Sequence, residues 1–172
     1  MIAIGCDHSG VTLKNTIISH LKERSFKVLD CGTYSTEMCD FPGISKKVTD
    51  SIINEESEQG ILICGTGIGM SIAANRVKGI RAALCSDTFS AEMTKKHNDA
   101  NILVLGARVI GESLAIKVLD TFLDSSFANE ERNIRRLKLL EEITNEENLQ
   151  HIKDGLSEEE SHDYSTKLYR KL

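Results

Sequence analysis

The chain has 172 residues, 40% of them hydrophobic and 27% charged, with a formal net charge of −5. That length and mixture suit a globular fold with one real core and exclude the disordered and fibrous classes. The mild acidity argues against broad electrostatic binding to nucleic acid. The start Met1-Ile2-Ala3-Ile4 carries no signal-peptide pattern, and the uncharged run from Gln59 to Asn75 is too short and glycine-rich for a membrane span. Neither nucleic acid nor membrane is therefore expected as a partner. Five cysteines without a C-x-x-C pair make neither a zinc pattern nor a disulfide framework, and the odd count suits a reducing cytoplasm.

Ile2-Ala3-Ile4-Gly5-Cys6 predicts the first strand, and Asp7-His8-Ser9-Gly10 the turn into a helix with Leu13, Ile17 and Leu21 at helical spacing. Asp7 and His8 then fall at a strand's carboxyl end, where open α/β sheets bind ligands, although Asp7 or Ser9 could serve simply as a helix cap. Phe26 to Cys31 predicts a second strand, followed by a polar loop whose length suits a functional role. Pro42 fits the first turn of a helix reaching to about Glu58.

Gly60-Ile61-Leu62-Ile63-Cys64-Gly65-Thr66-Gly67-Ile68-Gly69-Met70 predicts a buried strand, a tight glycine turn and the start of a helix. Backbone N–H groups exposed by such a turn favour a phosphate or an oxyanion, and Cys64, the last strand residue, faces the same place. A dinucleotide motif fits poorly because the third glycine comes one position early, and a P-loop fits worse because no Lys-Ser or Lys-Thr pair follows. A plain tight turn with a small buried cysteine is the structural alternative.

Arg81 to Cys85 predicts a fourth strand, and Asp87 or Ser86 caps a helix running through Lys96. His97-Asn98-Asp99-Ala100-Asn101 leads into a fifth strand, Ile102 to Gly106, and reads either as turn chemistry or as a functional His-amide pair. Arg108 follows that strand's carboxyl end. Ala115, Val118, Leu119 and Phe122 share one face of the next helix, from Glu112 to Leu123. A last helix, about Glu131 to Ile143, carries Arg132 and Arg136 four apart, placed to close on one phosphate or to pair with Glu131, Glu141 or Glu142. Beyond Thr144 no strand pattern remains. Ser157 with Glu160 resembles a capping box for a further short helix, and His151 and His162 lack partners at ligand spacing. Five alternations of strand and helix predict an α/β fold, a parallel sheet with helices on both faces.

Gly5-Cys6-Asp7-His8-Ser9-Gly10, the run from Cys64 to Asn75, Gly79-Ile80-Arg81-Ala82, His97-Asn98-Asp99-Ala100-Asn101 and Gly106-Ala107-Arg108-Val109 occur together in this order. In this combination the chain resembles the type B ribose-5-phosphate isomerase family, related to the galactose-6-phosphate isomerase subunits, over roughly residues 1 to 143. The resemblance places the isomerase domain at 1–144 and leaves 145–172 as a C-terminal extension, partly helical. It implies a Rossmann-like three-layer αβα sandwich with a five-stranded parallel sheet, active without metal or organic cofactor. It also implies a homodimer or tetramer with active sites each built from two subunits.

The implied reaction interconverts the small phosphosugars D-ribose 5-phosphate and D-ribulose 5-phosphate through an enediolate, in the pentose phosphate pathway. On matching positions Cys64 is the base, His97 opens the sugar ring, and Asp7 and His8 hold substrate oxygens. The backbone of Gly65, Thr66, Gly67, Ile68 and Gly69, with Asn98, surrounds the enediolate, while Arg108, Arg132 and Arg136 take the phosphate. Such chemistry needs a base beside donors that can hold an oxyanion. Where the family has Asp-Tyr-Pro, this chain has Asp40-Phe41-Pro42, which removes a hydroxyl. The family's Gly-Gly-Arg-His is here Glu130-Glu131-Arg132-Asn133. Ungapped, its two arginines fall on Glu131 and Arg135; one inserted residue places them on Arg132 and Arg136, which keeps both charges. Other functions on this fold are isomerisation of a six-carbon sugar such as allose 6-phosphate or galactose 6-phosphate, and non-catalytic nucleotide binding.

Overall fold

The apolar runs of the three central strands are buried almost throughout, as a parallel sheet covered by helices requires, while the two outer strands are only partly buried. The structure, a computed structural model, describes residues 1–143. In chain order its elements are β1 Ile2–Cys6, α1 Val11–Glu23, β2 Val28–Asp30, α2 Phe41–Ile53, β3 Gln59–Cys64 and α3 Ile68–Ala74. They continue with β4 Ala82–Leu84, α4 Thr88–Asn98, β5 Ile102–Gly106, α5 Glu112–Asp124 and α6 Glu131–Ile143. The strands form one parallel sheet in the order β2-β1-β3-β5-β4. This is the expected α/β architecture, and the order reverses between β1 and β3, where such sheets open a crevice.

Alternating strand residues divide the core. Ile2, Ile4, Ile61, Ile63, Leu103 and Leu105 pack on α1 and α5, through Leu13, Ile17, Leu21, Val118, Leu119 and Phe122. Ala3, Leu62, Cys64, Ile102 and Val104 pack on the opposite face against Ile44 and Val48 of α2 and Met70 and Ala74 of α3. The outer strand β4 is not left bare. Asn75, just past α3, donates from its side-chain amide to the Ala82 carbonyl at 2.8 Å and accepts the Ala82 N–H at 2.9 Å.

Several element ends differ from the sequence expectation. β2 is shorter, Val28–Asp30. α2 stops at Ile53 rather than near Glu58, because the Asn54 and Glu55 amides turn back to Asp50 and Ile52 and Glu55 takes φ 60°. α4 continues past Lys96 to Asn98, and Asp99 ends it at φ 46°, so His97 and Asn98 belong to its last turn and not to a loop. Asp87 caps α4 by accepting the Ser90 N–H at 2.7 Å. Neither Asp7 nor Ser9 caps α1, whose cap is Gly10. Pro42 does sit in the first turn of α2.

Met1–Asn129 form one compact unit, and a second begins at Glu130 and includes α6. The expected extension 145–172, with the capping box at Ser157, His151 and His162, lies outside the described residues. Among the described helices none is long and apolar enough to cross a membrane.

One buried charge fixes the loop after β2. Lys14 of α1 is fully buried, and its ammonium donates to both Asp30 carboxylate oxygens at 2.8 Å and to the Thr33 carbonyl at 3.0 Å. The Asp30 side chain is 27% exposed and can rehydrate, whereas Lys14 cannot. Lys14→Met is therefore expected to cost about 3 kcal/mol, the low end for breaking a buried pair, and Asp30→Ala to cost more because it strands the ammonium. Urea unfolding of both variants checks that ranking.

Candidate active site

Three neighbouring strands, β1, β3 and β5, deliver their carboxyl ends side by side. Register places Cys6 opposite Ile63 and Cys64 opposite Gly106. The loops beyond are knitted together by backbone bonds, from Asp7 N–H to Ile63 at 3.1 Å, from Ala107 N–H to Cys64 at 2.9 Å and from Arg108 N–H to Gly65 at 2.9 Å. Asp7, His8, Cys64, the glycine turn and Arg108 thus lie along one sheet edge, as their positions after strands predicted.

Cys64 is 5% exposed, and its Sγ accepts the Gly67 N–H at 3.1 Å. A donated hydrogen bond is stronger to a thiolate than to a thiol. Gly67 supplies it from φ 79°, a left-handed conformation that costs other residues energy. Thr66 Oγ1 accepts the Ile68 N–H at 3.3 Å, which tightens the turn into α3. The other thiols differ in surroundings. Burial pushes the Cys6 thiol up to about 12 and the Cys85 thiol to about 11, and burial also raises Cys31. These three are held protonated. All five cysteines are free.

Gly65 leaves room above its Cα. A methyl there would lie 3.6 Å from Arg108 Cδ, 3.7 Å from Arg108 Nε and 3.7 Å from Ser9 Oγ, so the guanidinium and this hydroxyl converge over the turn. A methyl on Gly69 would meet the Phe41 ring at 2.9 Å, which puts that ring against the first turn of α3. Ser9 and Phe41 therefore join the site, although the sequence marked Ser9 only as a cap and Phe41 only as a missing hydroxyl. Asp7 is buried and accepts the Ser9 N–H at 2.9 Å. His8 Nδ1 accepts the Cys39 N–H at 3.4 Å, so the long loop after β2 contacts this histidine. Beside Cys39, a cavity of about 450 Å³ opens between Gly32–Tyr34 and the start of α2, with Lys47 on its wall.

The structure does not bring His97 and Asn98 to Cys64 within one chain. α4 runs back from the carboxyl end of β4 to the amino end of β5, and its last turn carries both residues. Gly60 and Ile102 pair at that amino edge while Cys64 pairs with Gly106 at the other, four residues further on. That is about 13 Å of strand. Arg132 and Arg136 lie on α6, where Arg132 Nε meets the Glu130 carboxylate at 2.6 Å. Among the described residues no group of three or more His, Cys, Asp or Glu is placed to hold a metal ion.

The profile described as Ribose/Galactose Isomerase matches residues 2–140. A protein of Listeria innocua named ribose-5-P isomerase B is 49% identical over 142 residues, covering 83% of this chain and 95% of the relative. The Escherichia coli protein named ribose-5-phosphate isomerase B is 47% identical over 126 residues, covering 73% of this chain and 85% of the relative. The solved structure of Clostridium thermocellum ribose-5-phosphate isomerase B superposes with a TM-score of 0.81 at 46% identity, covering 83% of this chain and 95% of that one.

The Gly67 conformation can be tested directly. In Gly67→Ala the new methyl would lie 2.4 Å from Leu84 Cδ1 and 3.1 Å from the Leu105 carbonyl carbon, at φ 79°. We expect a loss of about 1–3 kcal/mol from the strained backbone, read as a lower urea midpoint with an unchanged m-value.

Proposed function

The chain belongs to the ribose/galactose isomerase family, and from that premise we propose that it interconverts D-ribose 5-phosphate and D-ribulose 5-phosphate, as a cytoplasmic enzyme of the pentose phosphate pathway. The observation that carries this reading is the Cys64 sulfur set against the Gly67 N–H, with Arg108 and Ser9 converging over the neighbouring Gly65. A base, an oxyanion cradle and a phosphate-binding cation thereby share one edge.

In this reading Cys64, as thiolate, takes the proton from C2 of the open-chain aldose, and the electron pair moves through C1 to the carbonyl oxygen. The backbone from Gly65 to Gly69, with Asn98, holds the enediolate. The proton returns from the thiol to C1 while the O2 hydroxyl proton passes to O1, so that C2 becomes the carbonyl, C1 carries the hydroxyl and the thiolate is restored. Asp7 and His8 hold substrate oxygens, and Arg108, Arg132 and Arg136 take the phosphate. His97 moves the ring-opening proton from the sugar hydroxyl to the ring oxygen. Nothing in this sequence calls for a metal or organic cofactor.

His97 and Cys64 lie at opposite edges of one sheet, so we assign each active site to two subunits of a homodimer, or of a tetramer built from dimers. The surface agrees with this. Ile68 and Ile72 of α3, Leu84, Phe89 and Val109 are exposed large apolar residues, and Leu84 lies against Gly67 at the rim of the turn. Clustered apolar exposure of this kind marks association surfaces.

The deciding experiment is a coupled assay of purified protein on aldose phosphates of four to six carbons with chelator present. Ribose 5-phosphate is expected to give the highest kcat/KM, and turnover of allose 6-phosphate or galactose 6-phosphate alone would overturn the substrate assignment. Cys64→Ala is expected to lower kcat by about 10²- to 10⁴-fold, the range for a positioned base. An unchanged rate removes Cys64 from the mechanism.

The ring-opening role has its own kinetic mark. In His97→Asn, conversion of ribose 5-phosphate is expected to stop rising with enzyme concentration once spontaneous ring opening becomes limiting. Ribulose 5-phosphate, which has no ring, should continue to be consumed in proportion to enzyme. Proportional behaviour with both sugars would assign His97 another task.

A further inference from the structure

Directly after His97 and Asn98 the backbone is gripped from several sides by residues that take no part in the chemistry above. Arg81, entering β4, donates from Nε to the Asp99 carbonyl at 2.9 Å and from Nη2 to the Asp99 carboxylate at 2.8 Å. Its own N–H donates to Asn101 Oδ1 at 2.8 Å, and the Asn101 amide donates to the Gly79 carbonyl at 2.8 Å. Buried Lys95 donates to the Ala100 carbonyl at 3.0 Å. Asp99, at the centre of these bonds, holds φ 46° without being glycine. Aspartate tolerates this helix-ending conformation better than most residues, and here both its carbonyl and its carboxylate are held by one guanidinium.

We propose that Arg81 is a positioning residue for the isomerisation, its two-pronged grip on Asp99 fixing the last turn of α4 and hence the direction in which His97 and Asn98 face a second subunit. The inference rests on the reading that His97 opens the sugar ring. The guanidinium suits the task because two N–H groups in one rigid plane reach a carbonyl and a carboxylate of the same residue, whereas an ammonium on a flexible stem acts as a point charge. A cation at this place also complements the negative end of α4. Misplacement of a catalytic group by about 1 Å can cost roughly 100-fold in rate, so a residue that never touches the sugar can still govern turnover.

The test pairs a signal that needs no substrate with one that does. In ligand-free protein labelled at histidine, Arg81→Met is expected to shift and broaden the His97 imidazole resonances while those of His8 and His20 stay in place. On ribose 5-phosphate the same variant is expected to lose about 10- to 100-fold in kcat. Its rate should level off with enzyme concentration as in His97→Asn, and adding Arg81→Met to His97→Asn should cost almost nothing more. Unmoved His97 resonances overturn the proposal, as do losses that multiply in the double variant. If the wild-type protein isomerises no sugar phosphate while the resonances move, the functional reading falls and the grip on His97 stands. Should Arg81→Met not fold, Arg81→Lys and Asp99→Asn carry the same measurements, the first keeping the charge without the fork and the second keeping the carbonyl without the ion pair.

Discussion

The Gly67 N–H reaches the Cys64 sulfur at 3.1 Å, and the carboxyl edge of the sheet is arranged around that contact. It exists because Gly67 alone in the turn takes a positive φ, and because the turn folds tightly onto β5, where a methyl on Gly106 would lie 2.7 Å from the Thr66 carbonyl oxygen. Close backbone approach between the two loops brings Arg108 over Gly65. The same lack of side chains that makes the turn possible lets the Gly67 amide reach the sulfur directly. Strain, packing and polarity are here one constraint: what permits the bend also aims a donor at the sulfur.

The sheet separates two chemistries. Its carboxyl edge carries a thiol, a glycine turn and an arginine; its amino edge, beneath β5, carries a histidine and an amide on the last turn of a helix. A parallel sheet imposes this division, since every crossover helix must return to the amino side before the next strand begins. Large apolar side chains, Ile68, Ile72, Leu84 and Val109, are exposed around the glycine turn on the carboxyl side.

Much of the architecture was legible before any coordinates. Apolar runs bounded by glycine marked the strands, and the period of Leu13, Ile17 and Leu21 or of Ala115, Val118, Leu119 and Phe122 marked helix faces that do pack on the sheet. Cys64 could be placed at a strand's end because the apolar run stops there. Helix ends were less legible, since tertiary surroundings decide whether Glu55 or Asp99 accepts a left-handed backbone. That is why His97 and Asn98 read as a loop when they are helical. Ser9 was invisible as a neighbour of Arg108 because the approach is made across strands, through β1 and β5 flanking β3, and no local pattern encodes it. The opposition of His97 and Cys64 follows from parallel pairing itself, since one residue lies just before β5 and the other ends β3.

Asn75 closes off the sheet at β4 by offering Ala82 the donor and acceptor that another strand would offer. An open strand margin invites a stranger's backbone and, through repetition, unlimited filaments. One amide side chain stands where the pairing residue of a sixth strand would meet Ala82, and blunts that margin at almost no cost in chain length. Backbone pairing onto this side of the sheet is thereby disfavoured, and any contact made there falls to side chains.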